Sequence, residues 1–99
     1  MSEQEAGSEN EKVPAPAAST TAYRKAATQM HLDMAVAYTG DADKDFAAVL
    51  AAHRRGAIAL ARIQLQYGKD PEMRRTAEQI LAADEQTIAR MQAWQAAHP

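Results

Sequence analysis

The stretch YGKDPEM, residues Tyr67 to Met73, constrains the fold more than any other part of this chain. Gly68 stands where a helix ends and Asp70 where the next one begins. Pro71 takes a first helical position that does not need its missing N–H, and Glu72 sits in a first turn that the helix dipole favours. A second break, YTGDAD, repeats the signal with Gly40 as the residue after a helix end and Asp41 as N-cap. From Thr20 onward the chain is otherwise rich in Ala, Met, Leu, Gln, Arg and Glu, all strong helix formers. The two breaks therefore predict three helices, over about 21–38, 42–67 and 71–96.

Apolar spacing supports the same division. The first helix aligns Tyr23, Ala27, Met30, Met34 and Tyr38, and the second Phe46, Leu50, His53, Ala57 and Leu60. The third aligns Met73, Ala77, Ile80, Asp84, Ile88 and Met91. Each follows the i, i+3, i+4, i+7 pattern of an amphipathic helix, and no strand pattern competes. Short connections make sequential helices antiparallel neighbours, so the expected fold is an all-α, up-down-up bundle of three helices over residues 21–99.

Residues 1–20 read differently. MSEQEAGSENEKVPAPAAST contains one large apolar residue, Val13, and residues 1–21 carry four glutamates against one lysine. Such a segment buries too little surface to offset its ordering entropy, so a disordered acidic tail or linker is expected. It has no apolar h-region, and its composition suits a spacer behind a removed export signal as well as a cytoplasmic tail. The remainder holds ten bases against nine acids, a balance that argues against a one-sided nucleic-acid footprint. No apolar run approaches the roughly 20 residues of a membrane span, so no membrane insertion is expected. The chain has no cysteine, which excludes disulfides, thiolate ligands and a cysteine nucleophile.

Two polar residues interrupt the stripes, His53 on the second helix and Asp84 on the third. Folding back at about residue 69 places residue 53 opposite about residue 85, one step from Asp84. Folding back at about residue 40 places Met30 near the level of Leu50 and Met34 near Phe46, while Phe46 faces about residue 92, beside Met91. Met30, Met34, His53, Asp84 and Met91 thus lie within about two turns along the bundle axis. Thioether sulfur suits Cu(I) and imidazole accepts Cu, Zn or Ni, so this layer is a candidate metal site. Met30 and Met34 share a face at i, i+4, and His31, about 100° around the helix, reaches its edge. Asp84 would orient the His53 imidazole from behind. The competing reading is a packed core, with methionine as gap-filler and His53 hydrogen-bonded to Asp84.

Other chemistries fit poorly. DADKD opens like a calcium loop but has Phe46 where the loop needs glycine and Ala52 where it needs glutamate. No Glu-x-x-His pair, nucleophile elbow or phosphate-cradling loop is present, and no enzyme is expected. Arg54, Arg55, Arg62, Arg74, Arg75 and Arg90 are expected on solvated faces.

The stretch TGDADKDFAAVLAAHRRGAIALARIQLQYGKDPEMRRTAEQILAADEQTIARMQAWQ resembles domain-of-unknown-function family 305. That family's pattern runs from an acidic, glycine-led turn before an aromatic, through Met-Met-x-x-His-His-x-x-Ala-Ile-x-Met-Ala, to a Gly-x-Asp turn and a closing Met-x-x-Trp. The matching positions are Gly40, Asp41, Asp43, Phe46, His53, Gly56, Ala57, Ile58, Ala61, Gly68, Asp70, Ile80, Ile88, Met91 and Trp94. The resemblance implies a ferritin-like helical fold, export to the periplasm or beyond, and, as in some members, copper bound through Met and His. The chain departs from the pattern where ligands are expected. Val49 and Leu50 replace the paired methionines, Arg54 the second histidine, Leu60 the later methionine, and Asp84 and Thr87 the usual Gln and Glu. Arg54 is expected to set a permanent cation beside any metal at His53.

Met30, His31, Met34, His53 and Met91 remain as candidate ligands, with Asp84 behind them. Two functions follow: non-catalytic Cu(I) sequestration or delivery, or a metal-free helical interaction module. Three amphipathic helices leave apolar surface uncovered, so a homo-oligomer is also expected.

Overall fold

The computed structural model describes residues 17–99, and the expected tail over residues 1–16 lies outside them. Three helices account for most of the described chain: α1 (Ala18–Met34), α2 (Ala42–Tyr67) and α3 (Pro71–Ala97). No strand occurs among the described residues. No helix is long and apolar enough to cross a membrane.

The bounds of α2 and α3 follow from local chemistry. The Asp41 carboxylate accepts hydrogen bonds from the Asp43 and Lys44 amides at 3.0 and 3.3 Å. The Asp70 carboxylate accepts from Met73 N–H at 3.0 Å, with Pro71 as the first helical residue. Each cap satisfies amides that have no partner within the helix. Gly68 ends α2 in extended rather than left-handed geometry (φ −78°, ψ 156°), so the expected glycine cap there is replaced by a different one. The Arg74 guanidinium supplies it, donating through one nitrogen to the Leu65 and Gly68 carbonyls at 2.9 Å each. A cation on the last carbonyls of a helix matches both their orphan acceptors and the dipole. Arg74 is therefore a half-buried structural residue and not part of a solvated face.

The first helix departs most from expectation. It begins at Ala18, inside the stretch read as tail, and stops at Met34 instead of about residue 38. Asp45, in the first turn of α2, explains the early stop. Its carboxylate accepts from both the backbone amide and the hydroxyl of Thr39, at 2.9 Å each. The Thr39 hydroxyl in turn accepts from the Asp41 amide at 3.0 Å, and Gly40 turns the chain at φ +89°. Only a residue free of Cβ adopts that φ without strain. Residues 35–39 are thereby pulled out of helical geometry and laid along the start of α2.

These hydrogen bonds predict an acid-sensitive turn. The Thr39 backbone amide, foremost, holds the Asp45 carboxyl below its ordinary value of 3.8; partial desolvation opposes it, and the Thr39 hydroxyl and Gly40 amide add to it. A depressed carboxylate stabilises the fold fully above its unfolded value and loses that contribution as pH falls through the lower folded value. The Thr39 amide resonance is expected to titrate below pH 3.8, with no such step in Asp45→Asn. A Thr39 shift independent of pH in the parent protein would contradict this account.

The helices pack through small side chains. The buried apolar residues are Ala47, Ala51, Ala52, Ile58, Ala61 and Ala77, and no large side chain among the described residues is fully buried. Alanine seams let helix axes approach the short end of the usual 8–10 Å. α2 is central, with α1 against one flank and α3 against the other, and the backbones of α1 and α3 do not approach each other. The described residues measure 57 × 35 × 15 Å. A closed three-helix bundle has a round cross-section; this one is flattened to an open layer.

Candidate metal centre

Each candidate ligand is positioned by the layer. On α1, Met30 lies in the seam with α2, where its Cγ, Cε and Sδ atoms lie 2.5, 2.7 and 2.9 Å from where a Cβ on Gly56 would stand. Glycine at 56 is what lets α1 approach there. The contact also sets the height of α1: Met30 stands opposite residue 56 and not near Leu50 as expected. Residues 35–39 are not helical and span more than the roughly 1.5 Å per residue of a helix, so α1 stands six residues, about 9 Å, further along α2 than expected.

That slide brings Met34 to His53. Both line one open cleft of about 520 Å³, together with Tyr38, Phe46, Val49 and Leu50. The His53 side chain is exposed. His31 is also exposed, on the solvent side of α1. Met91 lies elsewhere, in a second cleft with Asp43, Ala47 and Trp94, and the ring of Phe46 divides the two clefts. The structure therefore gathers Met34 and His53, sets Met30 one turn further along the same seam, and leaves His31 and Met91 apart.

Asp84 does not stand behind His53. It is buried, 6% exposed, with a carboxylate oxygen 3.6 Å from an Arg54 guanidinium nitrogen. The register expected from folding back at residue 69 sets residue 84 level with residue 54, so the height was legible in the sequence. The neighbour on the chain was not, because one residue is a 100° rotation about the helix. Arg54 points into the α2–α3 seam, and His53 points into the open cleft. The expected His53–Asp84 pair is therefore replaced by Arg54–Asp84, and Arg54 is half-buried instead of solvated. Its Nε finds no hydrogen-bond partner. The expected cation beside a metal at His53 is turned away from it for the same reason.

Among the described residues, no group of three or more His, Asp or Glu side chains stands ready for a metal ion. Besides the Asp45 carboxylate, which Thr39 already holds, the cleft offers thioether and imidazole, donors suited to Cu(I). Val49 and Leu50 line the same cleft, so the two positions that depart from the resemblance's paired methionines face the candidate site.

The family model described as Domain of unknown function (DUF305) matches residues 1–95 of the 99. No curated protein matches the chain.

Proposed function

The chain belongs to the DUF305 family, and from that membership and the cleft geometry we propose that it is a small, non-catalytic metal-binding protein that sequesters or delivers Cu(I) in an exported setting. The carrying observation is that Met34 of α1 and His53 of α2 line one cleft, with Met30 a turn away on the same helix. An exposed imidazole coordinates without first breaking an internal hydrogen bond, and a soft thioether beside it favours the cuprous ion over Zn²⁺ or Ca²⁺. Asp84 contributes nothing to this site, since Arg54 already holds it. His31 and Met91 belong to it only through movement of their side chains or helices.

The test is an anaerobic titration with Cu(I) against a chromophoric chelator. One equivalent of competitive binding is expected for the parent protein, lost in His53→Ala and in Met30→Leu/Met34→Leu. The double replacement conserves volume and is expected to cost less than about 1.5 kcal/mol of stability, so lost binding cannot be attributed to unfolding. Failure of the parent protein to compete for the metal would overturn the proposal.

A second reading rests on a separate observation: large apolar side chains stand exposed along one side of the layer. Association through that side, with or without metal, suits a helical assembly module.

A further inference from the structure

α2 has one face that neither neighbour covers. Around its axis, Ala47, Ala51, Ile58 and Ala61 turn toward α3, while Ala52 and Gly56 turn toward α1. Between these flanks runs the stripe Phe46, Leu50, His53, Ala57, Leu60 and Gln64, in which His53 is the only titratable side chain. The opposite face of α2 carries Lys44, Arg55, Arg62 and Gln66. The layer therefore has one polar face and one mainly apolar face, on which Asp45 and Asp43 line the clefts beside Phe46.

The apolar face is uneven in a particular way. At one end Phe46 is 62% exposed and Tyr38 71%, and Phe46 stands as a ridge between two clefts. At the other end lies a groove of about 280 Å³, floored by Leu60, Ala61 and Gln64 and walled by Tyr23 of α1 and by Met73 and Ile80 of α3. Ridge and groove are separated by the fourteen residue steps from Phe46 to Leu60, about 21 Å along the axis. His53 stands midway between them.

We propose that this face is the interface of a two-fold dimer of the chain, with the axis passing at His53. The two α2 helices then run antiparallel, Phe46 of each copy seats in the partner's Leu60 groove, and His53 meets its counterpart. The proposal deepens the assembly reading by naming the partner, the face and the register. A second copy is favoured over an unrelated partner by three features. The ridge and the groove are complementary under one two-fold rotation, which is what an isologous contact requires. The stripe itself carries no fixed charge, and the carboxylates beside its Phe46 end, Asp43 and Asp45, lie well away from the axis at His53, so the two-fold sets them far from their counterparts. The area is also sufficient: with Met73 47%, Tyr23 38% and Leu60 37% exposed beside Phe46 and Tyr38, the five leave on the order of 500 Å² of mainly apolar surface in water, given 150–250 Å² per large aromatic side chain. Leu50, Ala57 and Ile80 extend this toward the roughly 800 Å² per partner of a stable interface.

Because the chain has no cysteine, single replacements report register cleanly. The full chain, in chelator, is first examined by sedimentation velocity; a concentration-dependent dimer is expected, dissociating at least tenfold more readily in Phe46→Glu and Leu60→Glu but not in Arg55→Glu. Under mild oxidation by oxidised glutathione, His53→Cys is expected to cross-link to itself. Phe46→Cys is expected to cross-link to Leu60→Cys when the two are mixed, and neither to cross-link efficiently alone. A dimer insensitive to Phe46→Glu and Leu60→Glu would overturn this interface while leaving assembly by another surface standing. A chain that stays monomeric at several hundred micromolar would overturn self-association altogether. Phe46→Cys linking mainly to itself would overturn the antiparallel register.

Discussion

Replacing Arg54 with alanine is expected to lower stability by about 2–3 kcal/mol, and replacing Arg54 and Asp84 together with leucine to restore it to within about 1 kcal/mol of the parent. Asp84 is the one buried charged residue among those described, and its ion-pair partner is Arg54 at 3.6 Å. Removing the guanidinium strands a carboxylate between α2 and α3. For a fully buried pair that costs about 3–5 kcal/mol; here the Arg54 side chain is 41% exposed, so water already screens the pair and the loss is smaller. The pair is also a poor source of net stability. At 3.6 Å it is longer than a good charge-assisted hydrogen bond, and Arg54 Nε is buried without a partner. Two leucines would bury apolar area in the same seam with no polar group left unmatched. The single replacement Asp84→Leu is expected to cost less than Arg54→Ala, because the released arginine can extend its long stem into water. Urea denaturation of the four proteins measures all of this. An Arg54→Ala protein within about 0.5 kcal/mol of the parent would show that Asp84 finds another partner.

Gly56→Leu is expected to separate α1 from α2, and with it to abolish the proposed Cu(I) binding, while leaving the α2–α3 pair helical. The site of a Cβ on residue 56 is 2.5 Å from Met30 Cγ, an atom too close to the α1 backbone to be removed by rotating the end of the side chain. Alanine sets about 1 kcal/mol of improved helix propensity against about 1–3 kcal/mol of overpacking, a net loss of up to about 2 kcal/mol. Leucine adds three further carbons along the same line, and α1 has to leave. Its backbone comes close to that of α2 only, so no part of the α3 backbone holds it in place. Limited proteolysis should then cut within residues 18–34 while sparing α2 and α3. Adding Met30→Ala to Gly56→Ala opens the space and is expected to recover most of the loss, an interaction that a double-mutant cycle reads directly. Additive losses would mean that Met30 and Gly56 do not share this seam.

Legibility followed the range of the interaction. The bounds of α2 and α3 match the expected ranges almost to the residue, because Asp41, Asp70 and Pro71 act on amides two or three places away. The end of α1 was misread because the group that stops it, Asp45, lies across a turn and captures Thr39 from outside the helix. Gly40 does mark a turn, though six residues beyond the helix it was expected to close. The pairing of Met30 with Met34 was legible as an i, i+4 spacing; that Met34 and His53 line one cleft follows from a slide of α1 that no periodicity records. Arg74 as a helix cap was missed, although a basic residue four places after a capping aspartate and close to the end of α2 was a usable signal.

What the amino-acid sequence determined by itself is where α2 and α3 begin and end and how far along the axis each residue of α3 stands against α2. Local hydrogen bonds and a constant rise per residue are enough for both. What only the tertiary structure decided is rotation and closure: that Arg54 and not His53 meets Asp84, and that α1 and α3 flank α2 without meeting. An apolar stripe more than 100° wide is compatible with several orientations about the helix axis. Choosing among them depends on how closely two backbones can approach, and here Gly56 and a row of alanines settle that, leaving His53 on the open face.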